Sequence, residues 1–147
     1  MRAVLQRVSK AEVRVADVVV GRIASGWLIL LGVGHGDTEQ EALKMADKVV
    51  RLRMFEDSEG KFNLSALDVG AEILVVSQFT LYADTSRGRR PSFVGAADPA
   101  IAEPLVEFFA EAIRKYGLRV ETGRFGAHMD VMLHNDGPVT INLTVGE

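Results

Sequence analysis

Apolar and polar residues alternate over Ala11–Val15, where Glu12 and Arg14 separate Ala11, Val13 and Val15. A period of two marks a strand with one buried face. A first strand is expected over residues 2–8, and this one over 10–15. Ala16-Asp17 reads as a turn into a strand at Val18-Val19-Val20. Trp27 to Val33 is a largely continuous apolar run bounded by glycine, the pattern of a strand buried on both faces. Thr38-Glu39-Gln40-Glu41 then has the form of a capping box, with a hydroxyl at the cap and a carboxylate three residues on. Leu43, Ala46 and Val50 follow at helical spacing, which predicts a helix over 38–51 with those three residues inward. Asp57-Ser58-Glu59-Gly60 is a turn, and Glu72 to Leu81 the next strand. Asp98-Pro99 opens a second helix, secure from Pro104 to Tyr116, whose Leu105, Phe108, Phe109, Ala112 and Ile113 form one apolar face. Gly117 supplies its stop. Strands are expected at Leu118–Glu121, Met129–Leu133 and Val139–Val145. The pattern predicts one α+β domain over residues 1–147, with a mostly antiparallel or mixed, barrel-like sheet and two main helices.

Composition narrows the chemistry. The chain of 147 residues contains no cysteine, which excludes a thiol nucleophile, thiolate metal ligands and disulfides, and fits a reducing cytosol. The longest apolar run, around Trp27–Val33, is far short of the roughly 20 residues that span a bilayer, so a soluble cytoplasmic protein with no membrane partner is expected. The formal net charge of −3 does not mark a nucleic-acid binder, but a local patch governs phosphate contacts. The densest basic segment is Arg87-Gly88-Arg89-Arg90, followed by Pro91-Ser92-Phe93, with a second group at Lys48, Arg51 and Arg53. Taken alone, either reads as a solvated face.

Two segments depart from plain core. Ser77-Gln78-Phe79-Thr80-Leu81 ends a strongly apolar strand, where regular geometry would put Gln78 and Thr80 on one face and Ser77 on the other. These residues line one site only if the strand bends or ends there; otherwise they are an ordinary strand terminus. Asn135-Asp136-Gly137-Pro138-Val139-Thr140 lies between two alternating strands, and a hairpin turn accounts for its residue types. A cis Gly137–Pro138 bond is the alternative, which residue types alone do not decide. There is no G-x-S-x-G elbow, H-E-x-x-H or P-loop. His128 and His134 share strand parity but lack a ligand set around them, and His35 reads as a loop residue, so neither metal nor cofactor is expected.

At these two segments the chain resembles the D-aminoacyl-tRNA deacylase family in its bacterial and eukaryotic form. Ser77–Leu81 matches the family's first signature in full, and Asn135–Thr140 the second, its Gly-cisPro motif. Similarity continues at Gln6-Arg7-Val8, Leu30–Val33, Arg90-Pro91-Ser92-Phe93 and Thr122–Ala127, covering nearly the whole chain.

The resemblance implies a homodimer with active sites at the interface, hydrolysing the ester of tRNA that carries a D-amino acid or glycine. It assigns Ser77, Gln78, Phe79 and Thr80 to catalysis, Gly137 and Pro138 to rejection of L-side chains across the interface, and Arg7 to bracing that loop. Asn135, Pro91, Ser92, Phe93, Phe125 and Met129 are then candidate substrate contacts. Arg87, Arg89 and Arg90 are candidates for the phosphates of the tRNA acceptor end. An unactivated threonine hydroxyl needs a neighbouring base, and none stands in the motif. The expectation is therefore a positioning role for Thr80, main-chain N–H groups at Phe79 and Thr80 as oxyanion donors, and help from the ribose 2′-hydroxyl. Two rivals remain: a related deacylase acting on an L-amino acid through a trans Gly137–Pro138 bond, and a dimeric RNA- or ligand-binding module without catalysis.

Overall fold

A computed structural model describes residues 1–147. Its organising element is β1 (Arg2–Val15), a single strand of 14 residues where the sequence suggests two. The apparent break has a physical source. Arg7 and Val8 are buried in succession and Ser9 and Lys10 are both exposed, so the strand changes faces without ending. One edge of β1 is shared: its first half pairs antiparallel with β3 (Gly26–Gly32) and its second half with β2 (Val18–Ile23). The β1–β2 turn uses Ala16 and Asp17 at φ 48° and 63°, the left-handed pair that fits a tight hairpin to twisted strands.

Beyond β3 the sheet turns parallel, through β6 (Glu72–Ser77) and then β7 (Val120–Thr122). β2 curls toward β7 so closely that a Cβ on Gly21 would lie 2.7 Å from the Thr122 carbonyl oxygen. This makes the sheet mixed and nearly a barrel. The other edge of β1 is paired along its length by β8 (Asp130–Thr144). The two strands expected at 129–133 and 139–145 are therefore one strand, and the hairpin expected between them does not exist. Both halves pair with β1 in the same antiparallel sense, and the turn-like residues leave the sheet as a bulge.

The connections carry α1 (Glu39–Arg51), a small hairpin of β4 (Phe55–Glu56) and β5 (Phe62–Leu64), the short helix α2 (Ala66–Val69), and α3 (Pro99–Arg114). The capping box forms as read: Thr38 Oγ1 accepts from Gln40 N at 3.2 Å and Glu41 accepts from Thr38 N at 2.7 Å. The buried stripe of α1 is Ala42, Met45, Ala46, Val49 and Val50, whereas Leu43 is 52% exposed. Leu43 belongs to the next row round the helix, and Met45 takes the place expected for it. Helix α3 starts at Pro99 and runs through Pro104, whose missing N–H leaves the carbonyl of Ala100, an exposed residue, without its usual helical donor. Its inward face is centred on Leu105, Val106, Phe109, Ala110 and Ile113, and Phe108 is half-buried.

The main core lies between one face of the sheet and helices α1 and α3, with Trp27, Ile29, Met45, Ile73 and Phe109 fully buried. A smaller cluster of Val8, Ala11, Val13, Ile23, Leu28, Leu74 and Val76 fills the curl on the other face. No helix is long and apolar enough to cross a membrane. Phe109→Ala is expected to cost about 3–5 kcal/mol of unfolding free energy in a urea titration, as truncation of a core phenylalanine does. Leu43→Ala should stay within about 0.5 kcal/mol of the parent, because its side chain lies on the solvent face.

Candidate active site

Strand β6 stops at Ser77, and the chain at once coils into a 3₁₀ turn, Phe79–Tyr82. Gly32, opposite this transition, is what allows it: a Cβ there would come within 3.0 Å of the Gln78 carbonyl and 3.2 Å of Tyr82. The change from strand to turn puts Ser77, Gln78 and Phe79 on one surface, which a continuing strand would have divided between two faces. All three line a cavity of about 410 Å³ together with Phe93, Phe125, Val106 and the β3 end at Leu31 and Val33.

The first N–H groups of a helical turn have no partner within it. Gln78 N is taken by the Leu31 carbonyl at 2.8 Å and Leu81 N by the Gln78 carbonyl at 3.3 Å, whereas the N–H groups of Phe79 and Thr80 make no such loop or turn bond. The Thr80 hydroxyl accepts a hydrogen bond from the Gln78 side-chain amide. It has no carboxylate or imidazole partner. Asp98 is the one ionisable residue of the cavity wall; it is exposed at the start of α3 and its side chain makes no capping bond.

The opposite wall is a strap, residues 93–97, pinned to the end of β3. Ala97 N donates to the Val33 carbonyl at 2.9 Å, and His35 Nε2 lies 2.7 Å from the Val94 carbonyl oxygen. Phe93 on this strap meets Phe79 edge to face at 5.1 Å, so an aromatic pair stands at the cavity mouth with Phe79 59% exposed. Beneath it Tyr82 packs against Gly34, and burial pushes its phenol well above the usual range. Sequence reasoning missed the strap and the α3 wall. Ala96, Ala97, Ala102 and Val106 carry no chemical signature; the only hint is the run of small residues, which leaves room for a cavity.

The basic segment forms the tip of a loop closed at its neck by two backbone bonds between Asp84 and Ser92, at 2.8 and 2.9 Å. Hydrogen bonds from Ser86 hold the Asp84 carboxyl below its ordinary range and fix the turn. Arg87, Arg89 and Arg90 project from this loop, exposed and without ion-pair partners, beside the strap that bears Phe93. Pro91 and Ser92 belong to the loop neck and do not line the cavity. Met129 lies elsewhere, packed on the smaller core cluster with its sulfur against Gly123.

The second signature forms a separate structure. Arg7 of β1 alone faces Asp136, Gly137, Pro138 and Val139, because Gln6 pairs with Thr140 and Val8 with Asn135. The surplus residues are extruded, and Gly137–Pro138 is a cis peptide exposed at the tip. Gly137 has φ 149°, and a Cβ there would lie 2.9 Å from Val139 N, so glycine is required. Asn135 ties the neck: its amide donates to the Val139 carbonyl at 3.1 Å and to Thr140 Oγ1 at 3.2 Å, and its carbonyl accepts from Val139 N at 2.7 Å. Arg7, only 4% exposed, donates through Nε to the Asp136 carbonyl at 3.0 Å. The bulge sits on β8, three strands from Ser77 and four residues along β1 from its row. Strand spacing and rise place it roughly 20 Å from the cavity of its own chain.

Comparison with known proteins places these features in context. The family model described as D-Tyr-tRNA(Tyr) deacylase matches residues 4–144. A D-aminoacyl-tRNA deacylase of Roseiflexus sp. (strain RS-1) is 64% identical over 143 residues, spanning 97% of this chain and 92% of that one. One of Chloroflexus aurantiacus (strain ATCC 29364 / DSM 637 / Y-400-fl) is 60% identical over 147 residues, spanning 100% and 92%. Among solved structures, the c-Myc DNA Unwinding Element Binding Protein matches with a TM-score of 0.93 at 41% identity, covering 100% of both chains.

Asn135→Ala removes every side-chain bond across the neck of the bulge. A loss of about 1–3 kcal/mol is expected in urea unfolding, the range for orphaned buried polar groups. Hydrogen exchange at the Val139 amide should quicken beyond what that global loss explains.

Proposed function

The chain belongs to the D-Tyr-tRNA(Tyr) deacylase family, and from that premise we propose that it hydrolyses the ester of D-aminoacyl-tRNA in the cytoplasm, freeing the D-amino acid and the tRNA. The observation that carries this reading is the 3₁₀ turn at Phe79, whose first two main-chain N–H groups make no loop or turn bond and stand beside a cavity of the right size for an aminoacyl-adenosine end. An aminoacyl ester is already activated. Its hydrolysis needs a placed water and donors for the developing oxyanion more than it needs a strong nucleophile. In this reading the N–H groups of Phe79 and Thr80 take the oxyanion, and the ribose 2′-hydroxyl of the substrate assists. Thr80 positions rather than attacks, in keeping with a hydroxyl bonded to the Gln78 amide and to no base.

Chirality is set by a second copy of the chain. The Gly137–Pro138 tip is exposed and does not line the cavity of its own chain. A homodimer that brings one tip to the other's cavity supplies a wall of main-chain carbonyls, which crowd an L-side chain and ignore the identity of a D-side chain. Glycine, with neither hand, is admitted, so glycyl-tRNA mischarged on tRNA(Ala) is a further substrate. The loop of Arg87, Arg89 and Arg90 meets acceptor-end phosphates, and Phe93 with Phe79 holds the terminal adenine. The densest run of basic residues, free of ion-pair partners, is concentrated in this one loop, which reconciles tRNA contact with a chain of net charge −3.

The deciding measurement is the rate of ester loss from matched D- and L-tyrosyl-tRNA. Rapid loss of the D-ester beside an intact L-ester is expected; loss of neither would leave a binding module, and loss of the L-ester would point to the L-acting relative. Thr80→Ala should remain within about tenfold of the parent, far from the roughly 10⁶-fold loss seen when a true nucleophile is removed. A 2′-deoxy terminal adenosine should slow the reaction much more. Sedimentation equilibrium should return twice the mass of one chain.

A further inference from the structure

Arg7 is held from more than one side. Its Nε bonds the bulge, but Nη1 donates to the Met54 carbonyl at 2.8 Å, and Nη2 stands 3.5 Å from a carboxylate oxygen of Glu56. The ring of Phe62 covers the guanidinium, with Cζ 5.4 Å from its centroid. Glu56 and Phe62 are cross-strand partners in the β4–β5 hairpin, so one small element presents a charge and an aromatic face to the same cation. That hairpin is itself stiff. The Asp57 carboxylate accepts from Lys61 N at 3.1 Å and Glu59 N at 2.9 Å, bonds that hold its carboxyl below the ordinary range. Arg53 ties the far strand back through the Asn63 carbonyl at 2.9 Å. On the other side Phe55 stacks edge to face on Trp27, the β3 partner of Arg7, at 5.2 Å.

Phe62 is 53% exposed although its ring is large and apolar. Core packing does not account for its position; contact with a buried cation does. A guanidinium fixed at Met54, Glu56 and Phe62 becomes a rigid peg, and the Asp136 carbonyl hangs on it. We infer that the β4–β5 hairpin, through Glu56 and Phe62, sets the stiffness of the Gly137–Pro138 tip and is a specificity-determining support acting through Arg7. This rests on the reading of the tip as the wall that excludes L-side chains. A wall that yields lets in the side chain that points toward it, so loosening the peg raises L-ester hydrolysis relative to D.

The test is single-turnover hydrolysis of matched D- and L-tyrosyl-tRNA by the intact protein and four variants. Phe62→Leu keeps bulk and removes the aromatic face; it should lower the D-to-L rate ratio about two- to fivefold, the worth of one cation–π contact at a partly exposed site. Glu56→Gln should lower it in the same direction, and Phe62→Tyr should restore the parent ratio. Simple loss of folded protein lowers both rates together and leaves the ratio alone, so it does not imitate this outcome. If Arg7→Lys lowers the ratio while Phe62→Leu and Glu56→Gln leave it unmoved, the hairpin has no such role and the inference is wrong. If Arg7→Lys also leaves the ratio unmoved, the exclusion reading of the tip fails first, and this inference falls with it.

Discussion

One mismatch of register shapes the functional half of this molecule. Between two regular pairs, Gln6 with Thr140 and Val8 with Asn135, β1 supplies a single residue and β8 supplies four. A sheet can absorb one extra residue by local twist; more must leave it. What keeps the extruded segment ordered is that the single opposing residue is an arginine with its guanidinium buried. A buried charge is costly unless paired and hydrogen-bonded, so Arg7 must find partners, and the carbonyls of Asp136 and Met54 and the Glu56 carboxylate are in reach. The demand of the cation for partners and the demand of the surplus chain for an anchor are met by the same bond.

The cavity and the bulge are kept apart by the sheet itself. Strand β6 can end in the turn at Phe79 because Gly32 of β3 beside it leaves room where Gln78 and Tyr82 approach, while β8 extrudes its loop two strands beyond β3. Neither feature depends on the other within one chain. On the function proposed above, this is why the complete site needs two copies: a catalytic turn and a steric wall built on distant strands of one sheet meet only when a second sheet brings its wall round. On that reading β1, which pairs with β2, β3 and β8, lends its rigidity to the active site.

Much of the fold was legible because its signals are local. The capping box at Thr38–Glu41, the alternation of β1 and the left-handed turn at Ala16-Asp17 all follow from short-range chemistry. The failures share a different cause. Asn135-Asp136-Gly137-Pro138 has the residue types of a hairpin, and nothing local shows that the chain resumes the same strand in the same direction; that is settled by β1, well over a hundred residues away in sequence. The inward rotation of α1 toward Met45 rather than Leu43 is decided by the helix it packs against. Of the site, Ser77, Gln78, Phe79, Phe93 and Phe125 do converge on one cavity, and the end of β6 at Ser77 is what permits it. The strap was invisible and the β4–β5 hairpin was read only as its turn at Asp57–Gly60, because small residues and a lone exposed phenylalanine carry no chemical motif.

Selection by exclusion, as proposed for this chain, places unusual demands on a protein. A pocket that recognises a side chain can be soft, since favourable contacts draw the ligand into place. A pocket that rejects one hand and accepts all sizes of the other must be hard, because its discrimination equals the work needed to push the wall aside. Main-chain carbonyls suit the task better than side chains, which have rotamers through which to yield. Their stiffness must be supplied from behind, and here it is supplied by a neck tied at Asn135, a glycine whose conformation admits no substitute at 137, and a buried cation gripped by a separate hairpin. The catalytic side of the site carries the lighter burden: an activated ester asks only for placement and two N–H donors. The heavier investment of this fold in order lies accordingly in the bulge at Gly137–Pro138, which on the proposed reading decides which substrate is allowed to reach the chemistry.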